Sequence, residues 1–163
     1  KSLLRHKLAV SSLDDLANGH FHLVIPDQRI KDDKKVKRVV FCSGKVYYDL
    51  FEEAEKQKLT DVAIMRVEQL YPFPRIEVTA ELDKYPAARE MIWCQEEPQN
   101  QGAWFQIRHH LQACADGHHS LHYAGRVRSP APACGHYNTH VAEQHALVQQ
   151  ALVDPVGDNH SLE

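Results

Sequence analysis

At 163 residues the chain has the length of one ordinary domain, which by surface-to-volume scaling buries roughly 70% of its unfolded surface without any staple. Hydrophobic content of 43% beside 25% charged residues argues against disorder, and no apolar run reaches the roughly 20 residues of a membrane span. A formal charge of -3 with scattered Lys and Arg excludes the cationic stripe of a nucleic-acid binder.

Residues 1–19 read as a lead-in segment in which Ser11 or Ser12 caps a short helix that Gly19 stops. From His20 to Ile25 a loose alternation ends at Pro26, the pattern of an edge strand. Residues 27–37 mix both charge signs around a single Ile and read as a solvated loop. Arg38 to Ser43 is a continuous apolar run, and Gly44-Lys45 turns it into a helix through Lys58. Val46, Leu50, Phe51, Ala54 and Leu59 share one face of that helix.

Val62 to Val67 is a second buried strand, and Pro72 and Pro74 break the chain before a helix from about Arg75 to Leu82. Met91 to Cys94 is a third strand. The polar turn Gln95-Glu96-Glu97-Pro98-Gln99-Asn100-Gln101 follows it, and a helix runs from Gly102 to Ala115. Ser120 to Tyr123 is a fourth strand, and Ser129 to Ala133 is Pro-rich. The last helix, Thr139 to Leu152, turns Val141, His145, Leu147, Val148 and Leu152 inward. Residues 20–153 make one domain and 154–163 a loose tail. Strands alternating with helices predict an α/β sandwich on a parallel sheet.

Cys42, Cys94, Cys114 and Cys134 are widely spaced with no C-x-x-C pair, which fits free thiols in a reducing compartment. The adjacent pairs His109-His110 and His118-His119 point different ways from any helix or strand, so no metal site is expected. Cys42-Ser43-Gly44-Lys45 places a hydroxyl, a flexible backbone and a cation at a helix start. That is an anion-friendly position, although the residues by themselves favour a plain strand-to-helix turn with Ser43 as N-cap. Arg66, Gln95 and Arg126 fall at the ends of the other strands, and Arg128 lies just beyond. The five residues Ser43, Lys45, Arg66, Gln95 and Arg126 are the candidate anion-binding set. Neither a Walker loop nor a G-x-S-x-G elbow is present. Glu96 and Glu97 project to opposite sides of an extended chain and read as salt-bridge groups rather than an acid–base pair.

The runs CSGKVYYDL at 42–50, VAIMRVEQLYPFP at 62–74, WCQEEPQNQGAW at 93–104 and YAGR at 123–126, with KSLLRH at 1–6, closely resemble one family. It is the carboxyl-terminal domain of the thiamine diphosphate-dependent first component of 2-oxoglutarate dehydrogenase, within the transketolase-like superfamily. The resemblance covers residues 1–152. It implies a three-layer α/β sandwich whose mostly parallel sheet carries one antiparallel edge strand. It also implies a parent enzyme that decarboxylates 2-oxoglutarate on thiamine diphosphate and magnesium and passes the succinyl group to dihydrolipoyl succinyltransferase. In the family the cofactor-binding residues and catalytic histidines lie in earlier domains, so the resemblance implies neither cofactor nor catalytic residue here. What remains is a domain that packs against the preceding catalytic domains of a homodimer, with AMP or acetyl-CoA as effector in some members. The parent's compartment is then the bacterial cytoplasm, or the mitochondrial matrix in a eukaryote. The related 2-oxoadipate dehydrogenase is the alternative parent, and a free-standing nucleotide- or anion-binding module is the alternative reading.

Overall fold

The computed structural model describes residues 3–154, and these form a five-stranded sheet covered by helices on both faces. In chain order the elements are α1 (Leu13–Asn18), β1 (Val24–Ile25), β2 (Arg38–Cys42), α2 (Val46–Gln57), β3 (Val62–Val67) and α3 (Arg75–Leu82). They continue with β4 (Glu90–Pro98), α4 (Trp104–Cys114), β5 (Ser120–Arg126) and α5 (Tyr137–Leu152). The strands lie in the order β1-β3-β2-β4-β5, with β1 antiparallel to β3 and every other pair parallel. This is the α/β class with one antiparallel edge strand, as expected. From residue 155 the proposed tail lies outside the described residues.

The alternation of each strand sorts the core into two halves, because successive side chains leave opposite faces of a pleated strand. Val39, Phe41, Ala63, Met65, Met91 and Trp93 pack on one face under α3 and α4. Val40, Cys42, Val62, Ile64, Ile92, Cys94 and Ala124 pack on the other under α2 and α5. β2 and β4 are therefore buried on both faces, which is why they read as unbroken apolar runs. Cys42 and Cys94 are free, fully buried neighbours in register, and burial pushes both thiols well up from their ordinary range.

The sequence reading and the structure differ at five places. The first strand is only two residues long, because its ladder to β3 covers just Val24↔Val67 and Ile25↔Arg66. Residues 27–37 are not simply solvated: Asp27 and Arg29 form an ion pair whose side chains are 2% and 8% exposed. Asp27 accepts a hydrogen bond from the Ile64 N–H at 2.8 Å, and Arg29 donates to the Val62 carbonyl at 3.3 Å. These side chains thus take over the edge of β3 where β1 has run out.

β4 is the third difference, running on through the supposed turn to Pro98 with an irregularity between Gln95 and Pro98. Fourth, β5 continues to Arg126. Fifth, α5 begins at Tyr137, and Val141 and His145 lie on its exposed side while Leu147, Val148, Ala151 and Leu152 face the core. The capping of α1 is as read: Ser12 accepts from the Asp15 N–H, and Asp15 returns the bond to the Ser12 backbone.

At the amino ends of the strands Arg38 is 7% exposed. It pairs with Glu90 at 2.7 Å and donates to the carbonyls of Ala151 and Asp154. Its fork ties the end of α5 to the sheet, where free helix carbonyls welcome a cation.

Candidate functional site

The chain leaves β2 for β3 on one side and later returns to β4 on the other, so the switch in strand order lies between β2 and β4. In open α/β sheets ligands gather outside the carboxyl ends of the strands at such a point. A cavity of about 630 Å³ opens there, lined by Ser43 and Gly44 after β2, Leu70 and Tyr71 after β3, Trp93 and Gln95 on β4, and Ala103, Gln106, Ile107 and His110 at α4.

The five candidate residues do not meet in that cavity. Ser43 and Gln95 continue the parity of Phe41 and Trp93 and belong to the α3/α4 side. Arg66, Glu96 and Arg126 continue the parity of Ile64, Cys94 and Ala124 and belong to the α2/α5 side, as does Lys45 at the start of α2. A strand's period of two separates what the linear spacing placed together.

Gln95 is 3% exposed. Its Oε1 accepts from the Trp93 indole N–H at 2.8 Å and from the Trp104 backbone N–H at 3.0 Å. Its Nε2 lies within hydrogen-bond distance of the carbonyls of Glu97, Pro98 and Gln101. The amide therefore has no donor left for a phosphate, and it replaces the ladder where β4 becomes irregular. Gly102 stands against it with φ 66, and a Cβ there would lie 2.9 Å from Gln95 Nε2. The positive φ and the close approach both call for glycine.

On the other side Lys45 Nζ lies 3.0 Å from Glu96 Oε1 and 3.1 Å from Asp49 Oδ2. Desolvation opposes its charge, but hydrogen bonds to Glu96 and Asp49 outweigh that and raise its pKa. Gln144 of α5 donates to both carboxylates, at 3.1 and 2.8 Å, and accepts from Arg126 at 3.0 Å. Arg126 also donates to the Glu96 carbonyl at 2.7 Å and lies 3.0 Å from His140 Nδ1. Its Nε sits 3.0 Å from Glu143 Oε2 as an ion pair, although without hydrogen-bond alignment. One polar network thus fastens α5 across the ends of β2, β4 and β5.

Arg66 stands apart. It is paired with Glu68 and has its guanidinium 4.5 Å from the Tyr47 ring centroid. Ser43 is not the N-cap of α2: Lys45 takes that position, and no side chain caps the helix. Spacing could have offered Asp49 as a partner of Lys45 four residues on. Gln144, about a hundred residues away in sequence, carried no such signal. Among the described residues no group of three or more His, Cys, Asp or Glu converges as a metal ion requires.

The likeness of the chain to known proteins runs along most of its length. The family described as 2-oxoglutarate dehydrogenase C-terminal matches residues 10–152. The chain is 54% identical over 152 residues to the 2-oxoglutarate dehydrogenase E1 component of Cupriavidus necator, and 54% over 154 residues to that of Coxiella burnetii. To the E1 component of Azotobacter vinelandii it is 50% identical over 155 residues. Each of these matches covers 93% of this chain and 16% of the relative, so the chain spans about one sixth of the length of the curated relatives it matches. With Cys42–Leu50, Val62–Pro74 and Trp93–Trp104 all inside the matched stretch, the chain belongs to the 2-oxoglutarate dehydrogenase C-terminal family.

Proposed function

We propose that the chain is the non-catalytic assembly and regulatory domain at the carboxyl end of a 2-oxoglutarate dehydrogenase first component. The full-length enzyme, on this reading, decarboxylates 2-oxoglutarate with thiamine diphosphate and magnesium. It then transfers the succinyl group to the lipoyl group of dihydrolipoyl succinyltransferase and works as a homodimer. The observation that carries the reading is a family match across residues 10–152 at about half identity, confined to 16% of each relative's length. The site geometry supports a structural role, since Lys45, Arg126 and Gln95 are engaged with protein groups that hold the strand ends together.

The test is radiolabelled carbon dioxide release from 2-oxoglutarate with thiamine diphosphate and magnesium present. The full-length protein is expected to turn over and the purified 163-residue chain is not; turnover by the chain would falsify the non-catalytic assignment.

An AMP or acetyl-CoA effector belongs to the same reading. Its phosphate would have to displace a protein partner at whichever cation it meets, Glu96 and Asp49 at Lys45, Glu68 at Arg66 or Gln144 at Arg126, because these three residues lie apart and are each engaged. Titrating either effector into the full-length protein, and again with Lys45→Ala or Arg66→Ala, measures this. Loss of one charge-assisted contact weakens binding by about 1.5–3 kcal/mol, and unchanged affinity rejects the site.

A further inference from the structure

We propose that the concave amino edge of the sheet is a binding site for a monocarboxylate with a hydrocarbon tail, its head on Arg89 and Lys37 at the rim and its tail along the end of α5. A second cavity of about 630 Å³ lies at this edge, at the opposite end of the strands from the switch point. Lys37 and Arg38 line it at the start of β2, Arg89 and Glu90 at the start of β4, and Leu152 and Val153 at the end of α5. The backbone fixes the rim: the Lys37 N–H donates to the Asp61 carbonyl at 2.8 Å, and the Lys37 carbonyl accepts from the Arg89 N–H at 2.9 Å. Lys37 and Arg89 are thereby held next to each other on neighbouring strand starts.

The cations of this edge are not equally engaged. Arg38 is spent, with Nε 2.7 Å from Glu90 and its two Nη groups donating to the carbonyls of Ala151 and Asp154. Those contacts also cover the negative end of α5, which would otherwise repel an anion. Arg89 keeps donors in hand. Its Nη1 donates to the Pro86 and Ala88 carbonyls at 3.0 and 2.6 Å, and among the described residues neither Nε nor Nη2 has an acceptor and no carboxylate pairs with it. Lys37 reaches Asp61 only at 4.0 Å, with its side chain 77% exposed. A planar guanidinium with free donors takes a carboxylate through two parallel bonds, and a lysine beside it adds a point charge.

The neighbours set the charge of the head and the nature of the tail. Three cations, Lys37, Arg38 and Arg89, face two carboxylates, Asp61 and Glu90, so the surplus of one charge matches a monoanion, whereas a dianionic phosphate meets two like charges as well. Leu59, Ala87 and Val153 supply apolar wall, and Val153 is 47% exposed in this concave place while Leu152 beside it is 3%. A mostly apolar wall with a few charged groups that fix orientation is the usual make-up of a small-molecule site. This edge lies at the other end of the strands from Lys45, Arg66 and Arg126, and its chemistry is independent of which enzyme the chain belongs to.

The test is calorimetric titration of the full-length protein with decanoate below its micellar concentration. Decanoate is expected to bind, whereas acetate, without the tail, and decylamine, with the opposite head, bind several-fold more weakly. Lys37→Glu and Arg89→Gln each weaken decanoate several-fold, and Arg89→Lys recovers part of the loss. Because Arg89 also holds the Pro86 and Ala88 carbonyls, the urea midpoint of each variant is measured beside its affinity, and Lys37→Glu, at an exposed side chain, carries the test if Arg89→Gln unfolds. A decanoate bearing a diazirine at the far end of its tail is expected to label Leu59, Leu152 or Val153. No binding of decanoate, equal binding of decylamine, unchanged affinity in Lys37→Glu, or label confined to another part of the polypeptide each overturns the proposal.

Discussion

Gln95 connects two tryptophans and a chain reversal through one amide. Because it is buried and makes contacts with both its oxygen and its nitrogen, replacing it leaves several polar groups stranded at once. Each buried group left without a partner costs about 1–3 kcal/mol. Gln95→Leu is therefore expected to lower unfolding free energy by roughly 3 kcal/mol or more, read as a shift of the urea midpoint at unchanged slope. Tyr85 gives a pH signature. It is 4% exposed, and burial first, then the negative charges of Asp27, Asp33 and Glu81, push its phenol up to about 12 from an ordinary 10.0. The folded state holds that proton more tightly, so its contribution is complete below the unfolded value and is lost as pH rises through the folded one. Stability is expected to fall by up to roughly 3 kcal/mol on that account between these two values, with Tyr85→Phe flattening the decline in urea titrations at alkaline pH. Neither role shows in the sequence, where Gln95 is one polar residue in a polar run and Tyr85 precedes a proline.

At the scale of elements, β1 depends on help. Two residues of ladder leave the outer side of β3 unpaired before Arg66, while its other side pairs with β2, and the carboxylate of Asp27 and guanidinium of Arg29 complete that outer side. Asp27→Ala leaves the Arg29 cation buried and the Ile64 N–H unanswered. Breaking a buried pair costs about 3–5 kcal/mol, so a loss of that size is expected in chemical denaturation, with faster exchange of the Ile64 amide. The apolar runs of β2 and β3 and the helical face of α2 were legible because periodicity and burial agree there. The extension of β4 was not, because Gln-Glu-Glu-Pro has the composition of a turn while a side-chain amide supplies its missing bonds. The inner face of α5 was misjudged at Val141 and His145. Only the second half of that helix reaches the core, its first turns being held by Arg126 and Gln144 instead.

Across the whole molecule, stability is expected to be uneven. β2 and β4 are covered on both faces, whereas residues 3–22 bury almost nothing. Hydrogen exchange on this chain is expected to protect the amides of Val39–Phe41 and Ile92–Cys94 most and those of α1 least. The sequence by itself determined the class of fold, the alternation of strands and helices, and the family, because these depend on local periodicity and on long runs of residues. Which strand-end residues share a site was decided only by the tertiary structure. Pleating sends neighbours such as Gln95 and Glu96 to opposite faces, and only the folded chain brings Gln144 to Lys45's partners and Trp104 to Gln95.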